Sequence, residues 1–590
     1  MKKFILVLLT VLMVLSVLTS CVTPSVPSDN TPEPTPEATP ETETLRLGLH
    51  VEEDGTITLY NEPYYGFGTN WHGVFMRFLG NSELDLDVYF QALADGNIPY
   101  IRFMAGVFYA SSVGMYVYDK EAYFTAMDKM VATAEKYKIG LIPSLMWNIP
   151  AFYEFYGEDP KDCMADPEAK ATKLMIEYTT EMVTRYKDSP AIWAWEYGNE
   201  GNLAADRGSF TSIQLGASYK LFGETVRKYD DYRMILTGDS SIFECSHALR
   251  TTGQWSPVDT AEERIETLKI LNPDPINCLS THIYGHADTY QRVELVATDM
   301  QIAKDMGKGL FVGEYGPGYS EWDTLTGDDM VANWNDIVDI MLADGVQMAA
   351  QWGFGRYAEQ PDGTSIELGF YNKVYQNEYQ YERLKKVNAD FIAQGKTMAP
   401  KYWEDTTPLL YGTSAWKLDG SPANNSKTEG DLLKDVSILA NGYWEGNNGG
   451  QNVFASRSTI VTELSDGTMG KALRCKIVGT EGSSNFTNRL LLGQAISLGK
   501  AKTYTLKVTA KFTLSSGDSF QDGSKAIIKA SSNDNSVEII ADGQWHTYTY
   551  TFTTANSLAK SKITIGGANS NAKAPVGTEL IVESVELFEN

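Results

Sequence analysis

The chain has few cysteines, and their spacing forms no pattern. Five cysteines stand among 590 residues, without a C-x-x-C pair or the spacing of a disulfide framework. We therefore expect Cys163, Cys245, Cys278 and Cys475 to be buried free thiols rather than disulfide partners or metal ligands. The sequence also lacks a His/Asp cluster with metal-ligand spacing and a D-x-D-x-D-G loop, so it implies no catalytic metal and no other cofactor.

Positive charge is also scarce. Lys and Arg number 49 against 76 Asp and Glu, which gives a formal net charge of −27. Such a surface repels phosphate backbones and argues against nucleic acid as a partner. Aromatic residues are plentiful, with 33 Tyr and 12 Trp. These flat side chains favour a neutral ligand with faces on which they can stack.

Long apolar runs are missing except at the N-terminus. Residues 5–18 are apolar, follow Lys2 and Lys3, and are too short for a membrane span, so they indicate an export signal. The run ends in LTSC, which resembles a bacterial lipoprotein box and predicts Cys21 as the lipidated first residue of the mature chain. An ordinary secretory peptide is the alternative. We expect a cell-surface lipoprotein, anchored to the membrane through Cys21 and otherwise a soluble monomer.

Composition divides the rest of the chain into four segments. Residues 22–44 are almost only Pro, Thr, Glu, Ser and Ala, which predicts an extended linker. Residues 45–405 form the predicted larger domain, and a Gly-, Ser- and Asn-rich linker follows at 406–430. Residues 431–590 alternate apolar and polar positions, as in HTYTYTFTT, which predicts an all-β sandwich.

The larger domain contains eight short apolar runs separated by helix-like segments. The runs are residues 64–71, 98–104, 140–147, 191–198, 233–238, 277–284, 309–315 and 346–353. Near-continuous apolar runs predict strands buried on both faces, and eight such units predict a (β/α)8 barrel. A doubly wound open sheet is the alternative, but no G-x-G-x-x-G follows the first run.

Polar and aromatic side chains stand near the ends of these runs. They are Arg102, Asn199, Glu200, His282, Tyr284, Glu314 and Trp352. Active sites of (β/α)8 barrels lie at the C-terminal ends of the strands, so these side chains are predicted to meet at one rim.

Two of these residues are carboxylic acids, on the fourth and seventh strands. Cleavage of a glycosidic bond by a retaining enzyme needs a nucleophile and a proton donor. Arg102 and Tyr284 can hold Glu314 as the anion, which predicts Glu314 as nucleophile and Glu200 as acid/base. Asn199 offers an amide to a sugar hydroxyl, and Trp352 an aromatic floor for a pyranose ring.

The motifs IRFM, WEYGNE, THIYGH, VGEYG and QWGFG together resemble glycoside hydrolase family 5. The resemblance covers about residues 60–355 and implies the same acid/base, nucleophile and supporting residues. Many members place a His after the third strand, where this chain has Trp147, a candidate substrate-binding residue. The lack of this His, and the first strand GFGTNWHG, both resemble the β-mannanase branch of the family. The resemblance therefore implies a retaining endo-hydrolase of β-1,4-linked plant polysaccharide, β-mannan first and β-glucan second.

A second class of function is a polysaccharide-binding surface lipoprotein without activity. The presence of both carboxylates favours the enzyme. His72, Trp71 and Trp255 are predicted either to contact sugar or to pack in the core. Asp239 is expected to cap a loop, and His286 to be a surface residue.

The C-terminal segment resembles the jelly-roll carbohydrate-binding modules attached to polysaccharide hydrolases. The pieces LGKAKTYTLKVTAKF, DGQWHTYTYTFTT and ELIVESVELFE carry this resemblance. Trp545 is expected to be a packed residue, and Tyr443, Trp444 and Phe486 to offer a sugar-stacking surface.

Overall fold

The structure is a computed structural model in which Leu45 begins the compact unit. The described residues are 45–75, 86–106, 110–285, 290–316, 328–353, 355–359, 365–369, 378–396, 455–477, 491–517, 523, 525–530, 535–554, 560–567 and 575–590. The predictions for Cys21, His286, Tyr443, Trp444, Phe486 and both linkers lie outside them. None of the helices in these ranges is both long and apolar enough to cross a bilayer.

A small antiparallel sheet precedes the barrel. Its strands are β1 (Leu49–Val51), β2 (Ile57–Leu59) and β3 (Glu62–Pro63). The Leu49 amide donates to the Trp193 carbonyl at 2.8 Å, near the start of a barrel strand. Gly48 allows this approach, since it has φ +75° and a β carbon there would lie 2.6 Å from the Ile192 oxygen. The sheet therefore lies against the N-terminal end of the barrel.

Eight parallel strands close into a barrel. They are β4 (Gly66–Asn70), β5 (Tyr100–Met104), β6 (Gly140–Met146), β7 (Ala194–Gly198), β8 (Met234–Leu236), β9 (Cys278–Ile283), β10 (Gly309–Tyr315) and β11 (Met348–Trp352). Each lies within one predicted run, and β11 pairs with β4 to close the cylinder. The (β/α)8 prediction is confirmed, and the closed pairing rules out the open sheet. A hairpin of β12 (Gly355–Glu359) and β13 (Ser365–Gly369) follows.

Helices follow or connect the strands. Those in the described residues are α1 (Leu86–Asp95), α2 (Ala110–Tyr118), α3 (Lys120–Tyr137), α4 (Pro150–Tyr156), α5 (Pro160–Cys163), α6 (Lys170–Tyr186), α7 (Ser212–Arg227), α8 (Ser246–Thr252), α9 (Ala261–Leu271), α10 (Val296–Asp305), α11 (Asp328–Asp344) and α12 (Glu378–Ala393), with 3-10 turns at Gly201–Leu203 and Val293–Leu295. Local sequence sets several starts. Thr211 with Gln214, and Thr260 with Glu263, form capping boxes in which side chain and backbone satisfy each other.

The C-terminal segment is a jelly roll of two antiparallel sheets. Its strands are β14 (Ala455–Glu463), β15 (Met469–Ile477), β16 (Leu491–Ser497), β17 (Thr503–Thr513), β18 (Ala526–Ala530), β19 (Ser536–Glu538), β20 (Trp545–Thr553), β21 (Lys560–Gly567) and β22 (Glu579–Glu589). The sheet orders are β14-β15-β22-β17-β20 and β16-β21-β18-β19, and both sheets contribute to one core. In β20, Tyr548, Tyr550 and Phe552 point inward alternately, as the sequence predicted.

A buried ion pair joins the jelly roll to the barrel. Arg474 of β15 donates to Asp119, the N-cap of α3, and lies 3.6 Å from Glu121. Arg474 and Asp119 are 7% and 3% exposed, so the pair is desolvated. The jelly roll and the barrel are therefore joined by a polar contact in addition to the covalent chain.

The cysteine prediction is mostly confirmed. Cys163, Cys245, Cys278 and Cys475 are free thiols, and three of them are buried. Cys163 is instead half-buried, because it lies in the short helix α5, which has no buried residue.

Candidate active site

Glu200 lies just beyond the end of β7, in a turn held by the neighbouring loop. Its backbone has φ 50°, and its amide donates to the Gly238 carbonyl at 2.9 Å. Gly238 follows β8 with φ +76°, and a β carbon there would lie 1.9 Å from the Gly198 oxygen. A glycine is therefore needed for the two loops to meet, and their contact fixes the direction of the Glu200 side chain.

Glu314 lies in β10, across the barrel mouth from Glu200. The pairing of β10 with β9 shifts register between Val312 and Glu314, an irregularity that can re-aim a side chain. One oxygen of each carboxylate and one ring nitrogen of His282 all lie within 4.8 Å of one another. The structure thus brings together two acids that are distant in the sequence.

His282 joins the two acids. Its Nδ1 lies 2.8 Å from Glu200 Oε1 and 3.6 Å from Glu314 Oε2. Burial lowers the pKa of His282 to about 4, so the ring is neutral at ordinary pH. A neutral ring with its proton on Nδ1 donates to Glu200.

Arg102 is fully buried and binds several groups of the site. Its Nη1 donates to Glu314 Oε1 at 2.9 Å, and its Nη2 donates to the Asn199 amide oxygen at 2.8 Å. Its Nε donates to both oxygens of Glu196 at 2.9 Å. One guanidinium therefore fixes the position of Glu314 and turns the amide nitrogen of Asn199 away from Arg102.

Glu314 accepts a second hydrogen bond, from the Tyr284 hydroxyl at Oε2. The predicted donors, Arg102 and Tyr284, are thus both in contact with this carboxylate. Burial nevertheless raises the pKa of Glu314, and the charge of Glu200 raises it further. Arg102 and Tyr284 lower the pKa of Glu314, in the predicted direction, but desolvation has the larger and opposite effect.

The pKa of Glu200 is also raised, chiefly by burial, although its side chain is 28% exposed. Two carboxylates this close titrate as a pair, so one keeps its proton after the other has lost it. Glu314 carries the charged donor, Arg102, at hydrogen-bond distance. It therefore loses its proton first, and Glu200 keeps the shared one.

Three nearly parallel rings lie beside the acids. His72 stacks on Trp352 with centroids 5.0 Å apart, and Trp147 lies 6.4 Å from Trp352. The Arg102 guanidinium lies 4.8 Å from the Trp147 ring centroid. Trp147 and Trp352 therefore join the predicted cluster, and His72 belongs with them.

Other candidates lie elsewhere. Trp71 is 2% exposed and packs on Tyr89, so it is a core residue. Trp255 lies on the loop between α8 and α9 and is 56% exposed. Asp239 caps the turn that follows Glu200, as expected, because its Oδ1 accepts from the Asn202 amide and from the Tyr219 hydroxyl. It does so from a buried position.

Three polar residues that hold the site were not predicted from the sequence. Glu196 binds Arg102 from below, and Asn70 accepts from Arg102 Nη1 at 3.0 Å. Gln291 donates to Glu200 Oε1 at 3.3 Å and to the Ser240 hydroxyl at 2.7 Å. An acid inside the apolar run AIWAWEYG was a usable signal for Glu196.

Among the described residues, one set could also offer ligands to a metal: Glu200, His282 and Glu314. Glu200 Oε1, His282 Nδ1 and both oxygens of Glu314 are already hydrogen-bonded, to one another or to Arg102 and Tyr284. This arrangement matches a proton-transfer site as well as a metal site, so the set alone does not imply a cation.

Comparison with known proteins agrees with this geometry. Residues 61–356, half of the chain, match the cellulase family (glycosyl hydrolase family 5). The probable mannan endo-1,4-beta-mannosidase F of Aspergillus flavus is 27% identical over 200 residues, 32% of this chain and 41% of that protein. Mannan endo-1,4-beta-mannosidase F of Aspergillus fumigatus is 26% identical over 199 residues, 32% of this chain and 43% of that protein.

The chain thus spans less than half the length of these curated relatives. The endo-1,4-beta-mannanase of Rhizomucor miehei aligns in structure with 18% identity and a TM-score of 0.44, over 58% of this chain and 99% of that one. The family match includes both carboxylates and all eight barrel strands. The chain belongs to the cellulase family, glycosyl hydrolase family 5.

Proposed function

We propose that the chain is a retaining endo-glycoside hydrolase that cleaves β-1,4-linked plant polysaccharide, with β-mannan as its first substrate. The observation that carries the proposal is the separation of the two acids, with one oxygen of each within 4.8 Å. Retaining glycosidases hold their carboxyl groups about 5–5.5 Å apart, whereas inverting ones need roughly 6.5–9.5 Å for a water between them.

In the first step, the Glu314 carboxylate attacks the anomeric carbon while Glu200 protonates the leaving oxygen. Glu200 Oε1 is occupied by His282 and Gln291, so Oε2 is the oxygen that carries the transferable proton. The bond from the anomeric carbon to the leaving oxygen breaks as the bond to Glu314 forms. Arg102 and Tyr284 donate hydrogen bonds to Glu314, which stabilise its ionised form and hold it in position.

In the second step, Glu200 is ionised and removes a proton from water, which attacks the same carbon. The ester to Glu314 breaks, Glu200 regains its proton, and the anomeric configuration is that of the substrate. Asn199 can donate to the hydroxyl beside the reacting carbon, because its oxygen already accepts from Arg102. A contact that tightens at the transition state accelerates the reaction.

Mannan is the first choice on two grounds. The curated relatives described above are named mannan endo-1,4-beta-mannosidases, and Trp147 stands where many members carry His. Glucan is the alternative, since the family as a whole is described as cellulase.

The test is reducing-end release from soluble mannan, glucomannan, barley β-glucan and carboxymethylcellulose. We expect the wild type to cleave mannan and glucomannan, and Glu314→Gln and Glu200→Gln to cleave none of the four. The matched control is Glu262→Gln, an exposed glutamate on α9. Full activity in Glu314→Gln would refute the site, and an α-anomer as the first product seen by NMR would refute retention.

Added azide separates the roles of the two acids. With an activated aryl glycoside, an acid/base variant still forms the ester intermediate, which azide attacks to give a β-glycosyl azide. A nucleophile variant lets azide attack directly and gives the α product. We expect the β product from Glu200→Ala and the α product from Glu314→Ala, and the reverse would exchange their roles.

Two further parts of the proposal concern the ends of the chain. Lipidation at Cys21, supported by the LTSC motif, predicts that Cys21→Ser moves the protein out of the membrane fraction. Sugar binding by the jelly roll, supported by its sequence resemblance, predicts retarded migration in mannan-containing gels after the barrel site is blocked by a mechanism-based inhibitor. Unchanged membrane attachment or unretarded migration would contradict the respective part.

A further inference from the structure

We propose that Arg207, Phe243, Trp255 and Tyr290, here called the Trp255 patch, bind the sugar rings on the leaving-group side of the cleaved bond. The inference rests on the proposed function and adds to it a second binding surface. Its ligand is the reducing-end portion of a neutral β-1,4-linked hexose chain.

The patch is a continuous aromatic surface. Phe243 packs against Tyr290 with centroids 4.5 Å apart and against Trp255 at 5.2 Å. The Arg207 guanidinium lies over both Phe243 and Trp255, at 5.7 Å and 5.2 Å from the centroids. A flat guanidinium on aromatic rings offers donors for hydroxyl groups beside apolar faces, the combination that a pyranose ring needs.

The patch begins beside the candidate acid. Tyr290 precedes Gln291, whose amide donates to Glu200 Oε1. Burial raises the pKa of Tyr290 to about 12, and the negative charge of Glu200 raises it too. The phenol is therefore near enough to Glu200 to be affected by its charge. Arg207, Phe243 and Tyr290 come from the loops after β7, β8 and β9, which open on the same end of the barrel as the site.

Trp255 is exposed, and hydrogen bonds hold the loop that carries it. The loop returns to Asp259, whose carboxylate accepts from the His247 and Ala248 amides at 2.7 Å and 3.2 Å. The backbone amide of Asp259 also donates to the Glu244 carbonyl. A large apolar side chain held at the surface in this way costs free energy in water, unless a ligand covers it.

The position of the acid decides which part of the substrate the patch contacts. Glu200 protonates the leaving oxygen, so the sugar beyond that oxygen lies on the side of Glu200. The other aromatic group, Trp147 with Trp352, is joined through Arg102 to the nucleophile Glu314. The rings near Glu314 therefore face the sugar that forms the ester, and the Trp255 patch faces the departing chain.

The experiment compares two substrates that differ in the leaving group. One is the pentasaccharide of the polysaccharide that the wild type cleaves, and the other is a nitrophenyl glycoside of the same sugar, whose leaving group needs no sugar subsite. We expect Trp255→Ala to lower kcat/KM for the pentasaccharide by roughly 2- to 10-fold, the value of one aromatic contact. The nitrophenyl substrate should react at the wild-type rate, and Trp255→Phe should restore most of the loss.

Tyr229→Ala is the matched control, because Tyr229 is 38% exposed and precedes β8 at the opposite end of the barrel. Arg207→Met is a second variant that leaves the rings in place, and it should reduce kcat/KM for the pentasaccharide in the same selective way. Thermal unfolding of every variant checks folding.

The outcomes separate the two proposals. Failure of the wild type to cleave any polysaccharide removes the proposed function. If the wild type cleaves the polysaccharide and Trp255→Ala cleaves the pentasaccharide at the wild-type rate, the proposal for the patch is refuted and the proposed function stands. An equal loss on both substrates also contradicts the patch, because it would place Trp255 in the chemistry itself.

Discussion

Replacing Asp239 by Asn should make the folded chain more stable at neutral pH. Asp239 is fully enclosed below the Glu200 turn, with Oδ1 bound to the Tyr219 hydroxyl and the Asn202 amide. Its Oδ2 has no partner among the described residues. Burial raises the pKa of Asp239 to about 7, and the charge of Glu200 raises it further. Asn keeps the Oδ1 acceptor and removes the charge.

The magnitude follows from the two protonation states. The folded chain holds this proton up to about pH 7, whereas the unfolded chain releases it near the ordinary value of 3.8. Between those values the folded state binds more protons, so the free energy of unfolding falls as pH rises. The difference between a pKa of about 7 and the ordinary value of 3.8, at about 1.36 kcal/mol per pH unit, lowers the free energy of unfolding of the wild type by about 4 kcal/mol above pH 7.

The assay is thermal unfolding of the wild type and Asp239→Asn from pH 4 to pH 8. For a domain of the barrel's size, the unfolding entropy of roughly 0.7 kcal/mol per degree converts this cost into about 6 °C. We expect the variant's Tm advantage to grow by about that amount across the range. Asp231→Asn, at an exposed position, is the control. A Tm difference that stays constant from pH 4 to pH 8 would refute the reasoning.

Two further predictions concern buried ion pairs. Glu196→Gln removes one of the two anions that bind Arg102, so the pKa of Glu314 should fall. The acidic limb of the plot of kcat/KM against pH should therefore move to lower pH. An acidic limb at the wild-type position would contradict this prediction. Arg474→Met leaves the buried Asp119 carboxylate without its cation, at a cost of about 3–5 kcal/mol. Calorimetry should show a lower first transition, largely restored by adding Asp119→Ser, and an unchanged thermogram would exclude a stabilising contact.

The eight barrel strands could be predicted because strands buried on both faces leave an unmistakable pattern. All residues of β5, β6 and β10 are buried, and in the sequence they are short apolar runs. The rim residues followed from one rule about strand ends. The pairing of Glu200 with Glu314 was predicted from their positions along the chain alone.

The remaining parts of the site depend on information that sequence periodicity does not contain. Gln291 comes from a loop, where no repeat fixes the direction of a side chain. Trp71 and His72 are neighbours, yet one packs on Tyr89 and the other stacks on Trp352. The irregular pairing before Glu314 is likewise a feature of backbone geometry. The sequence therefore predicted the residues at the rim of the barrel but not the residues below the rim that hold them in place.

The charges of that lower layer bear directly on the proposed catalysis. When Glu200 is protonated, the buried centre holds two carboxylates, Glu196 and Glu314, against one cation, Arg102. His282 adds no charge, because burial keeps its pKa at about 4. The centre is then net negative, which favours a transition state in which positive charge develops on the sugar ring. A protonated His282 would cancel that charge, so the burial that keeps its imidazole neutral favours the proposed mechanism.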